Sequence, residues 1–111
     1  MHDGWTFLTS HAHVLLAVAR DPDIRIQDIA TTVGVTPRAA LTILQDLEDA
    51  GYVRRTRVGR RNHYTVEPSR PFRHPETAAH DVGELIAIFT SPVAGPREDG
   101  QGGEAARPED P

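Results

Sequence analysis

The chain has no cysteine in its 111 residues, so disulfides and thiolate metal sites are excluded, as suits a cytoplasmic protein. It also has no lysine; all 12 basic residues are arginine. Arginine makes planar, forked contacts with phosphate and guanine, although a GC-rich genome produces the same bias. No apolar run approaches the ~20 residues needed to span a bilayer, and no membrane partner is expected. The start, MHDGWTFLTSHAHVLL, lacks the basic lead and small-residue cleavage site of a signal peptide. Ser10 and Ser91 lack a glycine-rich nucleophile turn, and there is no Walker-type phosphate loop. No enzyme activity and no cofactor are expected. Six histidines raise the question of metal, but zinc needs three or four convergent ligands. Only His80 and Glu84 share a helix face, and no metal site is expected.

What is present is a small globule. Hydrophobic content of 38% against 25% charged residues suits one domain. The net charge of −4 hides an uneven distribution. Met1 to Gly51 carries three arginines against seven acids, Tyr52 to Arg73 seven against one, and His74 to Pro111 two against eight. The positive charge is confined to one short segment, and such a patch matters more for nucleic-acid binding than the total.

The order of signals around that segment defines the architecture. Thr9 or Ser10 can cap a first helix over about His11 to Arg20, with Val14, Leu15, Val18 and His11 as its inward stripe. Asp21-Pro22-Asp23 ends it, and Ile24-Arg25-Ile26 reads as extended. A second helix covers about Gln27 to Val33, stopped by Gly34. Thr36 and Pro37 are an N-cap and first-turn pair for a third helix over about Pro37 to Ala50. Ala40, Leu44 and Leu47 face inward there, and Gly51 ends it. Tyr52 to Val58 and His63 to Val66 read as a hairpin around Gly59-Arg60-Arg61-Asn62. A last helix is expected over 76–89, with an apolar seam of Val82, Leu85, Ile86 and Phe89. The fold class is therefore α+β: a winged helix-turn-helix with a three-helix core, a two-stranded wing and a C-terminal dimerisation helix. It fills residues 1–89, and the Pro-, Gly- and acid-rich run 90–111 is expected to be disordered.

Thr36-Pro37 through Leu47-Glu48-Asp49-Ala50-Gly51-Tyr52-Val53 resembles the recognition helix and strand entry of MarR- and ArsR-type repressors. Val58-Gly59-Arg60-Arg61-Asn62-His63-Tyr64, with Pro71-Phe72-Arg73-His74-Pro75, is similar to a set of small actinobacterial winged-helix regulators. The resemblance implies a dimeric transcription regulator. In such proteins the third helix enters the major groove. Helical phase turns Arg38, Ala39, Thr42 and Gln45 away from the core. Arg38 suits a guanine and Gln45 an adenine, while Thr36 and the helix-start amides suit phosphate. Arg57, Arg60, Arg61 and Asn62 would anchor the wing. Relatives often carry a basic residue near 42, 45 or 46, where this chain has Thr42, Gln45 and Asp46.

The expected partners are double-stranded DNA, a second copy and an unidentified small-molecule effector, which a chain this short would bind at the dimer interface. Val82, Leu85, Ile86 and Phe89 would pair with the same helix of the second copy. Gly83 would permit the close approach at some cost in helix propensity. Leu41 and Ile43 are more apolar than a wet groove face needs; either they pack under the wing or the first helix, or the chain is a protein-interaction module in which they form a partner surface.

Overall fold

The computed structural model describes residues 4–90. The expected tail lies outside these residues apart from Thr90. Six elements follow in order: α1 (Ser10–Arg20), α2 (Ile26–Val33), α3 (Pro37–Asp49), β1 (Val53–Val58), β2 (Arg61–Val66) and α4 (Val82–Thr90). This is the expected α+β winged helix.

Thr9 is the cap of α1, accepting a hydrogen bond from the Ala12 amide. The helix buries Val14, Leu15, Leu16, Ala17 and Val18 without a break. A five-residue run exceeds one stripe because α1 is central: α2, α3, β2 and α4 all pack on it. His11 is not part of that stripe. It is exposed, with Nε2 2.8 Å from Asp46 Oδ2. The α1–α2 connection is held to the sheet by the Tyr64 amide, which donates to the Pro22 carbonyl.

Gly34 closes α2 in the left-handed conformation at φ +88°, where a Cβ would be strained. Thr36 then caps α3 through the Ala39 amide, and Pro37 occupies the first turn. Ala40, Leu44 and Leu47 are buried as expected, and Ile43 is buried with them. Ile43 therefore belongs to the core and not to a partner surface. Leu41, one position outside the buried stripe, is exposed.

The hairpin is tighter than the sequence suggests. Val58 pairs with Arg61, so the turn is Gly59-Arg60 alone, and Arg61 and Asn62 belong to β2. Gly59, at φ +62°, allows the two-residue connection. Val53, Arg55 and Arg57 share a face with their partners Val66, Tyr64 and Asn62. Val53 and Tyr64 are buried there.

The last helix starts later than expected, at Val82 rather than 76. The amides of Thr77, Ala78 and His80 bond to carbonyls three residues back, in successive tight turns. The His80 carbonyl is taken by the Phe72 amide. The start is instead set by a capping box. Asp81 Oδ1 accepts from the Glu84 amide, and Glu84 Oε2 accepts from the Asp81 amide, each at 3.1 Å. Gly83 serves a close approach, but an internal one. Its amide donates to the Pro68 carbonyl, and a Cβ there would come within 2.8 Å of that oxygen. Val82 is in the monomer core, with Ile86 packed against it.

Two outcomes follow. Leu44→Ala removes a side chain with no exposure and is expected to cost about 2–5 kcal/mol in denaturant unfolding. The His80 hydrogen bond, followed by the Asp81 backbone amide, holds the Glu84 carboxyl below its ordinary range. A depressed carboxylate stabilises the fold above its unfolded value, and that contribution disappears as pH falls through the lowered folded value. Glu84→Gln should flatten the acid limb of a stability–pH curve without shifting its neutral end upward.

Candidate nucleic-acid interface

One helix and one hairpin supply the side chains. With Ala40, Ile43, Leu44 and Leu47 inward, helical periodicity leaves Arg38, Leu41, Thr42 and Gln45 on a single exposed stripe at i, i+3, i+4 and i+7. Thr36 precedes it as the cap, and Ala39 lies half-buried at its edge. Arg38 begins the stripe at the helix start, where backbone amides lack intrahelical acceptors and favour anions.

The polar groups further along are partly engaged. The Thr42 hydroxyl donates to the Arg38 carbonyl at 3.2 Å. The Gln45 amide nitrogen donates to Asp49 Oδ1 at 2.9 Å, leaving its carbonyl oxygen outward as an acceptor. That nitrogen carries two hydrogens, so a two-point contact to adenine can use the second while Asp49 keeps the first. With Asp49 negative at its far end, the stripe suits an anionic partner only over its first two turns.

The wing sorts its arginines by task. Arg55 pairs with buried Tyr64 across the hairpin and meets Glu48 of α3, with Nε 3.2 Å from Oε2 and Nη2 3.5 Å from Oε1. Glu48 Oε2 is buried and has no well-aligned hydrogen bond, so this ionic contact is its compensation. Arg54 pairs with Glu67 on the opposite face. Arg57 bonds the Gly59 carbonyl and stiffens the turn. Among the described residues, Arg38, Arg60 and Arg61 make no ion pair. Arg60 is at the tip, Arg61 begins β2 on the solvent face, and Asn62 is half-buried opposite Arg57. His63 binds Asp23 of the α1–α2 connection through Nδ1 at 2.8 Å. The wing is thereby tied to the helical core at its middle as well as at its base.

The structure separates residues that the sequence grouped. Val82 and Ile86 are used within the monomer and Leu85 is half-buried, whereas Phe89 is exposed along with Ile88. Trp5 and Phe7 are the most exposed apolar side chains and meet edge to face, with ring centroids 5.0 Å apart. A cleft of about 600 Å³ opens within the monomer between α1, the C-terminal half of α3 and the start of α4. Leu15, Leu47, Phe72 and Leu85 line it, with Asp49 and Arg73 among its polar residues. Among the described residues, no group of three metal-ligating side chains converges, and His80 and Glu84 bond to each other. No described helix is long and apolar enough to cross a membrane.

The signals missed were local. Gln45 with Asp49, at i, i+4, and Asp81 with Glu84, at capping-box spacing, are both readable pairs. The Arg55–Glu48 contact is not, because it depends on how β1 crosses α3.

The sequence profile of the MarR family matches residues 6–61, half of the chain, from the lead into α1 as far as Arg61. No protein of curated function matches the sequence. Among solved structures, a Mycobacterium tuberculosis MarR-family protein in complex with salicylic acid is 34% identical, covering 54% of this chain and 47% of that one, with TM-score 0.46. The PcaV transcriptional regulator of Streptomyces coelicolor, in complex with its natural ligand, is 17% identical, covering 78% of this chain and 63% of that one, with TM-score 0.48. The matched part spans between about half and just under two thirds of those two chains.

The sorting of arginines has a direct test in thermal and denaturant unfolding. Arg55→Ala should cost about 1–3 kcal/mol by leaving Glu48 without its partner. Arg60→Ala should stay within about 0.5 kcal/mol of the parent.

Proposed function

The chain belongs to the MarR family, and from that premise we propose that it is a sequence-specific, double-stranded-DNA-binding transcriptional regulator that acts in the cytoplasm as a homodimer on an inverted repeat. The observation that carries this reading is the coincidence of two exposed features. One is the α3 stripe headed by Arg38, and the other is a hairpin tip whose Arg60 and Arg61 have no ion pair among the described residues. Arg38, Thr42 and Gln45 face the major groove. Thr36 and the amides at the helix start hold a phosphate, and Ala39 lies beside them. Arg60 and Arg61 reach the flanking backbone or minor groove, with Arg57 and Asn62 behind them.

The dimer reading keeps Leu85 and Phe89 of the seam that the sequence suggested and replaces the other two. Val82 and Ile86 are committed to the monomer, so the second copy meets Leu85, Ile88 and Phe89 of α4. Arg20 Nη2 bonds the Phe89 carbonyl at 3.4 Å, placing the end of α4 beside the end of α1. Trp5 and Phe7 precede the other end of α1, about 16 Å away along the helix. An isologous two-fold pairing of this face brings Trp5 and Phe7 of one copy against Ile88 and Phe89 of the other. It sets the two α3 helices about 34 Å apart, one DNA turn. A small effector would suit the cleft inside the monomer, not only the dimer seam, and would touch the reading helix on its rear side through Leu47 and Ala50.

Selection from a random duplex pool at ~150 mM salt should enrich an inverted repeat with half-sites about 10 base pairs apart. Arg60→Ala with Arg61→Ala should weaken binding to all sequences alike and lower the salt slope by about 0.9 for each phosphate that is no longer neutralised. A folded protein that enriches no sequence would refute the reading.

A further inference from the structure

The stripe on α3 is less polar than its residue types suggest. Leu41 lies at its centre and is 46% exposed, although Ala40 and Leu44 beside it are fully buried. A single exposed leucine is ordinary on a protein surface. This one lies three residues after Arg38 and four before Gln45, on the same face. The neighbouring Thr42 hydroxyl donates its one hydrogen to the Arg38 carbonyl, so beside its methyl Thr42 keeps only an acceptor oxygen. The Gln45 amide nitrogen donates one of its two hydrogens to Asp49. Between the Arg38 guanidinium and the Gln45 side-chain amide, the helix therefore presents aliphatic surface with no free donor at Leu41 or Thr42.

In the major groove, one base-pair group matches such a surface: the C5-methyl of thymine. We propose that Leu41, assisted by the Thr42 methyl, is a specificity-determining residue that reads a thymine methyl between the base pairs met by Arg38 and Gln45. The proposal rests on the DNA-binding reading above and deepens it. From Arg38 to Gln45 the helix rises about 10 Å, roughly three base-pair steps. Each half-site then carries one or two thymines in the middle of the contacted run, flanked on the Arg38 side by guanine. On the Gln45 side stands a base with an outward amino group, adenine or cytosine, because the oxygen of Gln45 is the atom left to accept.

Deoxyuridine separates the methyl from everything else, since it keeps every hydrogen-bonding atom of thymine and lacks only the C5-methyl. On the selected operator, each thymine is replaced singly by deoxyuridine and the affinity is measured for the full chain and for Leu41→Ala. The expected result is about a fourfold loss at one central position per half-site, the worth of one buried methyl group. That loss should rise to about fifteenfold when both half-sites are substituted, and Leu41→Ala should no longer distinguish thymine from deoxyuridine at that position. Because Leu41 is half exposed, the variant should unfold at the parent's midpoint, which is checked alongside. An operator bound equally well with deoxyuridine at every position overturns the proposal and leaves specific DNA binding intact. A thymine preference that persists in Leu41→Ala also overturns it, since another group then reads the methyl. If no operator can be selected, the regulator reading itself fails.

Discussion

Everything functional in this fold depends on the rotation of α3 about its own axis. A helix turns by about 100° per residue, so choosing the buried residues also chooses the exposed ones. Ala40, Ile43, Leu44 and Leu47 take the inner side, packed with Val14, Val18 and Ile29. Deletion of any large member would cost a substantial part of a small domain's stability margin. That packing holds the outer stripe in a fixed direction. The Thr36 cap adds an axial stop, because the helix begins where its side chain accepts the Ala39 amide.

The second constraint is the division of labour among arginines. Chain-wide charge is negative, and several acids are used to hold arginines and histidines in structural roles: Glu48 with Arg55, Glu67 with Arg54, Asp23 with His63, and Asp46 with His11. Apart from Glu48 with Arg55, whose carboxylate is largely buried, exposed pairs of this kind contribute little energy each. They do remove charge from places where it would draw an anion away from the wing tip. What remains on the wing without an ion pair, among the described residues, is Arg60 at the turn, Arg61 at the first residue of β2, and Arg57, whose bond to the Gly59 carbonyl stiffens the hairpin.

Much of this is legible in the chain. The helix order, the Gly34 stop, the Thr36-Pro37 start and the Ala40–Leu44–Leu47 stripe follow from local rules that act within one or two turns. The alternation of Arg54, Arg55 and Arg57 follows from strand geometry. Several differences between expectation and structure turn on pairings that neighbouring residues alone do not dictate. Whether Ile43 is core depends on which other elements close over α3. Whether Val82 and Ile86 are free depends on the 68–81 segment doubling back, with the Val82 amide on the Arg70 carbonyl and the Gly83 amide on the Pro68 carbonyl. The hairpin turn is two residues shorter than expected because Arg61 and Asn62 carry no strand signal of their own; pairing with Val58 and Arg57 places them. Of the candidate interface, phase alone assigns the stripe, but not that Thr42 and Gln45 already have internal partners.

The buried and exposed stripes of α3 have no residue in common. Core and outer surface are therefore separable variables on one 13-residue helix. Arg38, Leu41, Thr42 and Gln45 can change identity without altering a single interior volume, and interior residues can be repacked without rewriting the outer face. A duplicated copy of such a gene would have short mutational routes to a new recognition preference, with no intermediate obliged to pass through an unstable fold.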